Sequence, residues 1–267
     1  MLGVAVTAAT PYGAASTGDR WRVRLADGRE VFVKARPAAP DGFFAAEAAG
    51  LRWLAAAAGG PAVPEVLGYD RELLVLPWLP DSPVPAAERL GRELAALHTA
   101  GAAGFGADRD GWIGAAELAN RPCPTWPEFY AERRVRPYAR VLRDRGADVA
   151  VFDRLTARLP AVAGPEEPPA RLHGDLWTGN VVWSGGRGWL VDPAAHGGHR
   201  ETDLAMLALF GLGWVPRVLV AYDEAAPLAA GWRDRQRLHQ VHPLLVHAVL
   251  FGGGYLAEAL SAARSYL

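Results

Sequence analysis

The first 76 residues alternate short apolar runs with turn signals. Trp21 to Leu25 and Val31 to Lys34 read as strands, and the Asp27-Gly28 pair between them marks a tight turn. Pro64 to Tyr69 and Leu73 to Leu76 are further candidates. The Ala-rich segment Gly42 to Ala58 predicts one helix, with Asp41 available as its cap. Phe43, Phe44, Leu51 and Leu54 share a helical face with Glu47, which places that carboxylate among apolar side chains.

The pattern then changes. Pro77-Trp78-Leu79-Pro80-Asp81-Ser82-Pro83 is a proline-rich joint, and a helical period follows it. Ala86 to Thr99 carries Leu90, Leu94 and Leu97 on one face, with Glu88 and Arg92 spaced for an i, i+4 pair. Trp126 to Arg145 predicts a long arginine-rich helix or helix pair with a bend at Pro137, and Asp148 to Leu159 a further helix. Val181 to Trp183 and Gly188 to Val191 flank Ser184-Gly185-Gly186-Arg187 as a hairpin that delivers Asp192 at its exit. The expectation is an α+β chain in two parts: residues 1–76 rich in strands around one helix, a joint at 77–83, and a mostly helical remainder, 84–267.

Composition narrows the function classes. The 267 residues are 51% hydrophobic and 21% charged, with a formal net charge of −1, so nothing favours nucleic acid or an anionic membrane. The single cysteine, Cys123, excludes an intrachain disulfide and fits a reducing compartment. The apolar opening Met1 to Thr10 lacks a basic n-region, and no apolar run is long enough to cross a bilayer. A soluble, cytoplasmic protein is expected.

The chemistry centres on Arg171-Leu172-His173-Gly174-Asp175-Leu176-Trp177-Thr178-Gly179-Asn180. An aspartate and an asparagine five residues apart behind His-Gly have the spacing of a phosphoryl-transfer loop, in which the aspartate faces the acceptor hydroxyl and the asparagine holds Mg²⁺. Asp192, past the hairpin, is the second candidate metal ligand; two oxygens plus phosphates suit Mg²⁺. Of 28 basic residues all but Lys34 are arginine, and Lys34 ends a predicted strand. A compact ammonium sits between phosphate oxygens and a helix carboxylate where a guanidinium fork does not, which pairs Lys34 with Glu47. A buried Glu47 demands such a partner. The joint reads either as an ordinary linker or as a hinge that binds adenine through the main chain of Pro77 and Leu79. Pro11 to Asp19, with Gly13 and Gly18, is the candidate phosphate-covering loop, although any polar hairpin looks the same.

These motifs resemble the fructosamine kinase (ketosamine-3-kinase) family, relatives of the aminoglycoside and choline phosphotransferases. The resemblance covers nearly the whole chain. It is carried by His173 to Asn180, by Asp192-Pro193-Ala194, and by Gly198-His199-Arg200-Glu201-Thr202-Asp203-Leu204-Ala205. Weaker matches are Gly104-Phe105-Gly106 ahead of Asp110-Gly111-Trp112-Ile113-Gly114, then Ala131 to Arg134, and Leu250 to Leu256. It implies a two-lobed protein-kinase-like fold: a small β-rich N-lobe with one helix, and a larger, mostly helical C-lobe for catalysis and acceptor binding. The implied activity is ATP-dependent phosphorylation of a sugar hydroxyl on a ketosamine. Asp175 matches the family's base, Asn180 and Asp192 its Mg²⁺ ligands, and Lys34 with Glu47 its ion pair.

Trp177 lines the acceptor pocket by this reading, or is a buried packing residue. Where the family usually has an aromatic pair this chain has His196-Gly197, which leaves acceptor choice open, and the amino-terminal loop lacks the usual Gly-Gly. His196 and His199 make a poor zinc site without a third ligand. Glu201 is a candidate partner for the substrate's amine; Asp203 reads as structural. His-Gly-Asp, and the short span from Asp192 to Glu201, argue against a protein kinase and for a small acceptor. Two alternatives stay open: a phosphotransferase for another small alcohol, such as an aminoglycoside or amino-alcohol, and a nucleotide-binding protein without catalysis.

Overall fold

The computed structural model describes residues 2–15, 18–82, 84–211 and 213–267. Five antiparallel strands open the chain: β1 (Val6–Ala15), β2 (Gly18–Leu25), β3 (Glu30–Ala35), β4 (Gly68–Tyr69) and β5 (Leu73–Pro77), in the order β1-β2-β3-β5-β4. Helix α1 (Phe43–Ala55) lies between β3 and β4 in sequence and packs Phe43, Phe44, Ala48 and Leu51 against Leu74 and Leu76 of β5. The opposite face of the sheet buries Val23, Leu25, Val31 and Val75. Period two therefore sorts β3 cleanly: Val31 faces one core, while Phe32 and Lys34 face α1 and the cleft.

Three local expectations change. The apolar opening is itself strand β1, edge-paired to β2, which its alanine- and threonine-rich sequence did not announce. Asp41 does not cap α1; left-handed Gly42 precedes the helix, and exposed Asp41 meets Arg71 at 3.3 Å. Only Gly68–Tyr69 of the segment Pro64 to Tyr69 joins the sheet.

After the joint come α2 (Ala87–Thr99), the hairpin β6 (Gly111–Ile113) and β7 (Ala116–Leu118), α3 (Trp126–Phe129), α4 (Arg136–Asp144) and α5 (Ala150–Val162). The α3 and α4 helices are one rod joined by a π-helical stretch, Tyr130–Val135. The widening to i→i+5 falls immediately ahead of Pro137, which has no N–H to close the regular helical bond. The short strands β8 (Ala170–Leu172), β9 (Val181–Ser184), β10 (Arg187–Leu190) and β11 (His196–Gly198) carry the motif loops. Helices α6 (Glu201–Leu209), α7 (Val215–Ala225), α8 (Trp232–Phe251) and α9 (Tyr255–Arg264) complete the chain.

Close packing dictates several residues. At Gly91 of α2 a Cβ would collide with the main chain of Val218, so only glycine lets α2 and α7 approach this closely. Glu88 reaches across this contact to Arg217 of α7 rather than along its own helix to Arg92. Pro243 lies inside α8, and the Tyr130 hydroxyl serves main-chain groups of the turn before it, donating to Leu238 O at 2.6 Å and accepting from His242 N at 3.1 Å. Among the described residues, no helix is long and apolar enough to cross a membrane.

Candidate active site

Strand β8 feeds the loop His173 to Trp177, and a 3₁₀ turn, Thr178–Asn180, leads into β9. Asp203, at the start of α6 and almost fully buried, anchors the loop: its carboxylate accepts His173 N at 2.7 Å and Gly174 N at 2.9 Å. Its structural reading therefore has a specific form. Gly174 has φ 82°, and a Cβ there would meet the carbonyl of Ala194, so the residue between His173 and Asp175 has to be glycine.

His173 ties the loop to the strand that precedes Asp192. Its Nε2 donates to Val191 O at 2.9 Å while Nδ1 accepts from Asp175 N at 3.3 Å, which selects one tautomer; burial pushes the imidazole down, so the ring is neutral. Asn180 donates from Nδ2 to Asp175 O at 2.8 Å and to Asp175 Oδ2 at 3.0 Å. Its amide oxygen is thereby turned away from Asp175. Burial raises Asp175 to about 7, helped by the nearby charges of Asp192 and Asp203 and opposed by the Asn180 hydrogen bond.

Lys34 Nζ lies 2.7 Å from Glu47 Oε1 and 2.8 Å from Asp192 Oδ1. Burial opposes the charged ammonium, but the carboxylates of Asp192 and Glu47 outweigh it and hold Lys34 above its ordinary value. Asp192 has φ 56°, an unusual backbone state for a residue other than glycine. Its second oxygen, Oδ2, accepts from Arg20 of β2 at 2.9 Å. Burial opposes ionisation of Asp192, and Lys34 with Arg20 overcomes it, leaving the carboxyl below its usual range. Arg20 escaped the sequence reading because one arginine among so many carries no signal.

Lys34, Glu47, Asp175, Asn180 and Asp192 all open on one cavity of about 550 Å³. Its other walls include Trp53, Trp112, His247 and Phe251, with Asp108, Arg109 and Asp110 at one side. Trp177 also lines it and is 39% exposed, which excludes the buried packing alternative. Its ring lies over Gly179, where any Cβ would strike the indole, and edge-on to Phe210. His196 lines the cavity with a buried ring whose Nδ1 lies 2.8 Å from Ala194 O; burial lowers it to about 3, so it presents a neutral surface. At Gly197 a Cβ would collide with the carbonyl of Gly104, and Gly106 and Gly197 exchange main-chain hydrogen bonds. Glycine at 197 is thus required by a crossing of two backbones.

Two expectations are corrected. Glu201 does not reach the cavity: it is 2% exposed, and Arg235 grips its carboxylate at 2.5 and 3.0 Å, with His239 Nε2 at 3.4 Å. Burial opposes its ionisation, and His239 and Arg235 together hold it at about 2. Apart from Glu47, Asp175 and Asp192, the carboxylates on the cavity wall are Asp108 and Asp110, of which Asp110 spends Oδ1 on Asn120 N. The third partner that His199 lacked in sequence does exist, since His199, Glu201 and His239 have ligand atoms within 4.8 Å of one another. The Arg235 fork on both Glu201 oxygens makes this an ion-pair network of the core, and His196 is outside it.

Pro77 ends β5 opposite Val31, and Trp78 N donates to Glu30 O at 3.2 Å. Pro77 and Leu79 do not line the cavity that holds Lys34 and Asp175. Of the candidate phosphate loop, Gly13 has φ 69° and open space around it, while Ser16 and Thr17 lie outside the described residues.

The family model described as fructosamine kinase matches residues 3–267. A probable ketoamine kinase of Thermus thermophilus is 38% identical over 251 residues, covering 91% of this chain and 88% of its own length. The solved structure of a candidate fructosamine-3-kinase from Thermobifida fusca superposes with a TM-score of 0.94 at 50% identity, covering all of this chain and 95% of that one. A macrolide 2′-phosphotransferase from Brachybacterium faecium shares the fold at 20% identity, TM-score 0.65, with 99% of this chain and 94% of that one covered.

Proposed function

This chain belongs to the fructosamine kinase family, and from that premise we propose that it transfers the γ-phosphoryl group of ATP to a sugar hydroxyl of a ketosamine. The observation that carries the reading is the convergence of Lys34, Asp175, Asn180 and Asp192 on one cavity bounded by Trp177. In this protein-kinase-like fold residues 1–76 serve the nucleotide, 77–83 form the hinge between the two parts, and 84–267 hold the acceptor.

Asp175 accepts the proton of the attacking hydroxyl. Phosphoryl transfer through a loose transition state needs positioning more than a strong base, and Asn180 fixes the Asp175 carboxylate in place. Lys34, held charged by Glu47, serves the α/β-phosphates. The donor set fits Mg²⁺: the Asn180 amide oxygen and the Asp192 carboxylate would serve as hard oxygen ligands, and two half-buried aspartates, Asp175 and Asp192, share one neighbourhood with buried Asp203. When bound there, the ion neutralises charge on the transferring phosphoryl oxygens. Asp108, exposed on the cavity wall, takes the role of amine partner that Glu201 cannot fill. Trp177 supplies an apolar wall for the sugar.

The test is Mg²⁺-dependent ADP release with fructosyl- and ribulosyl-amines against aminoglycoside and choline controls. Turnover on the ketosamines alone is expected. Turnover on a control alone moves the function to another small alcohol, and ATP binding without turnover on any acceptor makes this a non-catalytic nucleotide-binding protein.

A further inference from the structure

We propose that Arg20 is a phosphate-binding residue of this site, partner to Lys34, and that it exchanges Asp192 for a nucleotide phosphate oxygen when a divalent cation takes Asp192. The proposal rests on the kinase reading above and adds to it a residue that acts on both nucleotide and metal.

Arg20 and Lys34 are directly opposite each other in the β2–β3 ladder, so their side chains leave the same face of the sheet. Both reach Asp192, Lys34 at Oδ1 and Arg20 at Oδ2, at 2.8 and 2.9 Å. Between them they cap both oxygens of a carboxylate that a metal ligand has to offer. A divalent cation at Asp192 competes with both for the carboxylate's lone pairs, and the less firmly held of the two yields first. Lys34 is 8% exposed and pinned from its other side by Glu47, whereas the Arg20 side chain is 32% exposed and has no second carboxylate.

The way Arg20 is bonded supports the exchange. Arg200 and Arg235 use the fork: Arg200 grips both oxygens of Glu167, and Arg235 both oxygens of Glu201. Among the described residues the Arg20 side chain makes a single hydrogen bond, and its Nε is buried without an acceptor. An orphaned guanidinium donor beside Lys34, on the wall of the cavity that holds Asp175 and Asn180, is a place for an anionic oxygen. At Gly18, two residues earlier, a Cβ would collide with the carbonyl of Ala35, so the chain closes tightly on β3 just before Arg20 and sets its position.

The experiment uses the full chain with Arg20→Gln and Arg20→Lys variants, and measures binding rather than turnover. Calorimetry with Mg²⁺ and ATP should show Arg20→Gln weakened roughly tenfold or more, the loss expected of one charge-assisted hydrogen bond, with Arg20→Lys in between. Mn²⁺ alone, followed by its electron paramagnetic resonance signal, should bind Arg20→Gln more tightly than wild type by several-fold, because Asp192 loses a competing cation. Opposite shifts for nucleotide and metal are the signature; a merely structural arginine moves both the same way. Unchanged affinity for both, or weakening of both, overturns the proposal, and an unaltered thermal midpoint without ligand verifies that each variant is folded. Wild-type protein that binds ATP but phosphorylates no ketosamine would remove the substrate assignment and leave the Arg20 comparison readable. Wild-type protein that binds no nucleotide removes both.

Discussion

Asn180 donates to Asp175 twice, once to its main-chain carbonyl at 2.8 Å and once to its carboxylate at 3.0 Å. In the proposed mechanism the residue that would offer an oxygen to the metal therefore also aims the base. Removing the amide would free the carboxylate to rotate and would delete a ligand, so the two roles fail together.

The pH dependence follows from Asp175. Burial raises its carboxyl to about 7, and only the ionised form accepts a proton from the acceptor. Turnover should therefore rise with pH, with an ascending limb in kcat/KM near 7 that reports the free enzyme. Loading a cation beside the carboxylate favours the ionised form, so the limb in kcat should lie at lower pH. A rate profile that is flat from pH 5 to 8 would remove Asp175 from the proton path.

Lys34→Arg keeps the charge but widens the group between Glu47 and Asp192, each less than 3 Å away. Activity should fall by about a hundredfold, comparable to the loss of one electrostatic donor in other active sites. Steady-state kinetics at saturating ATP check this, and near-normal kcat would mean that the single lysine is dispensable.

Glu201→Gln should act on the fold and not on acceptor binding. It leaves Arg235 without its partner in the core, at a cost of about 3 kcal/mol. Urea denaturation should show the loss, while KM for the acceptor stays unchanged. Asp108→Asn should do the reverse, raising the acceptor KM about fivefold because an exposed ion pair is worth at most about 1 kcal/mol, with stability intact.

Gly174→Ala tests the loop geometry. The φ of 82° and the neighbouring Ala194 carbonyl leave no room for a methyl group, so the variant should lose roughly 2–3 kcal/mol and most activity. A fully stable Gly174→Ala would contradict the described approach of the loop to Ala194.

The legible parts of this chain were those where rarity or spacing carried the signal. Lys34 stood out because it was the single lysine on a strand. Asp175 and Asn180 were visible through fixed spacing, because a loop five residues long has few ways to bring both groups to one point. Glu47 was found by helical period, and its 2.7 Å contact with Lys34 follows from that face. Where tertiary contacts decide, the reading failed. Glu201 turned inward because Arg235, far along the chain on α8, offers a fork that local sequence does not reveal. Arg20 was hidden by the abundance of arginine, and β1 by residues whose strand preference comes from pairing with β2 rather than from their own pattern.

The most direct measurement is the mass of a fructosyl- or ribulosyl-amine after incubation with ATP, Mg²⁺ and either the wild-type chain or Asp175→Ala. Wild type should add one phosphoryl group to the sugar and release an equal amount of ADP. No gain is expected with Asp175→Ala, although that variant still binds nucleotide. An unmodified ketosamine from wild type, or a phosphorylated one from Asp175→Ala, would contradict the proposed transfer.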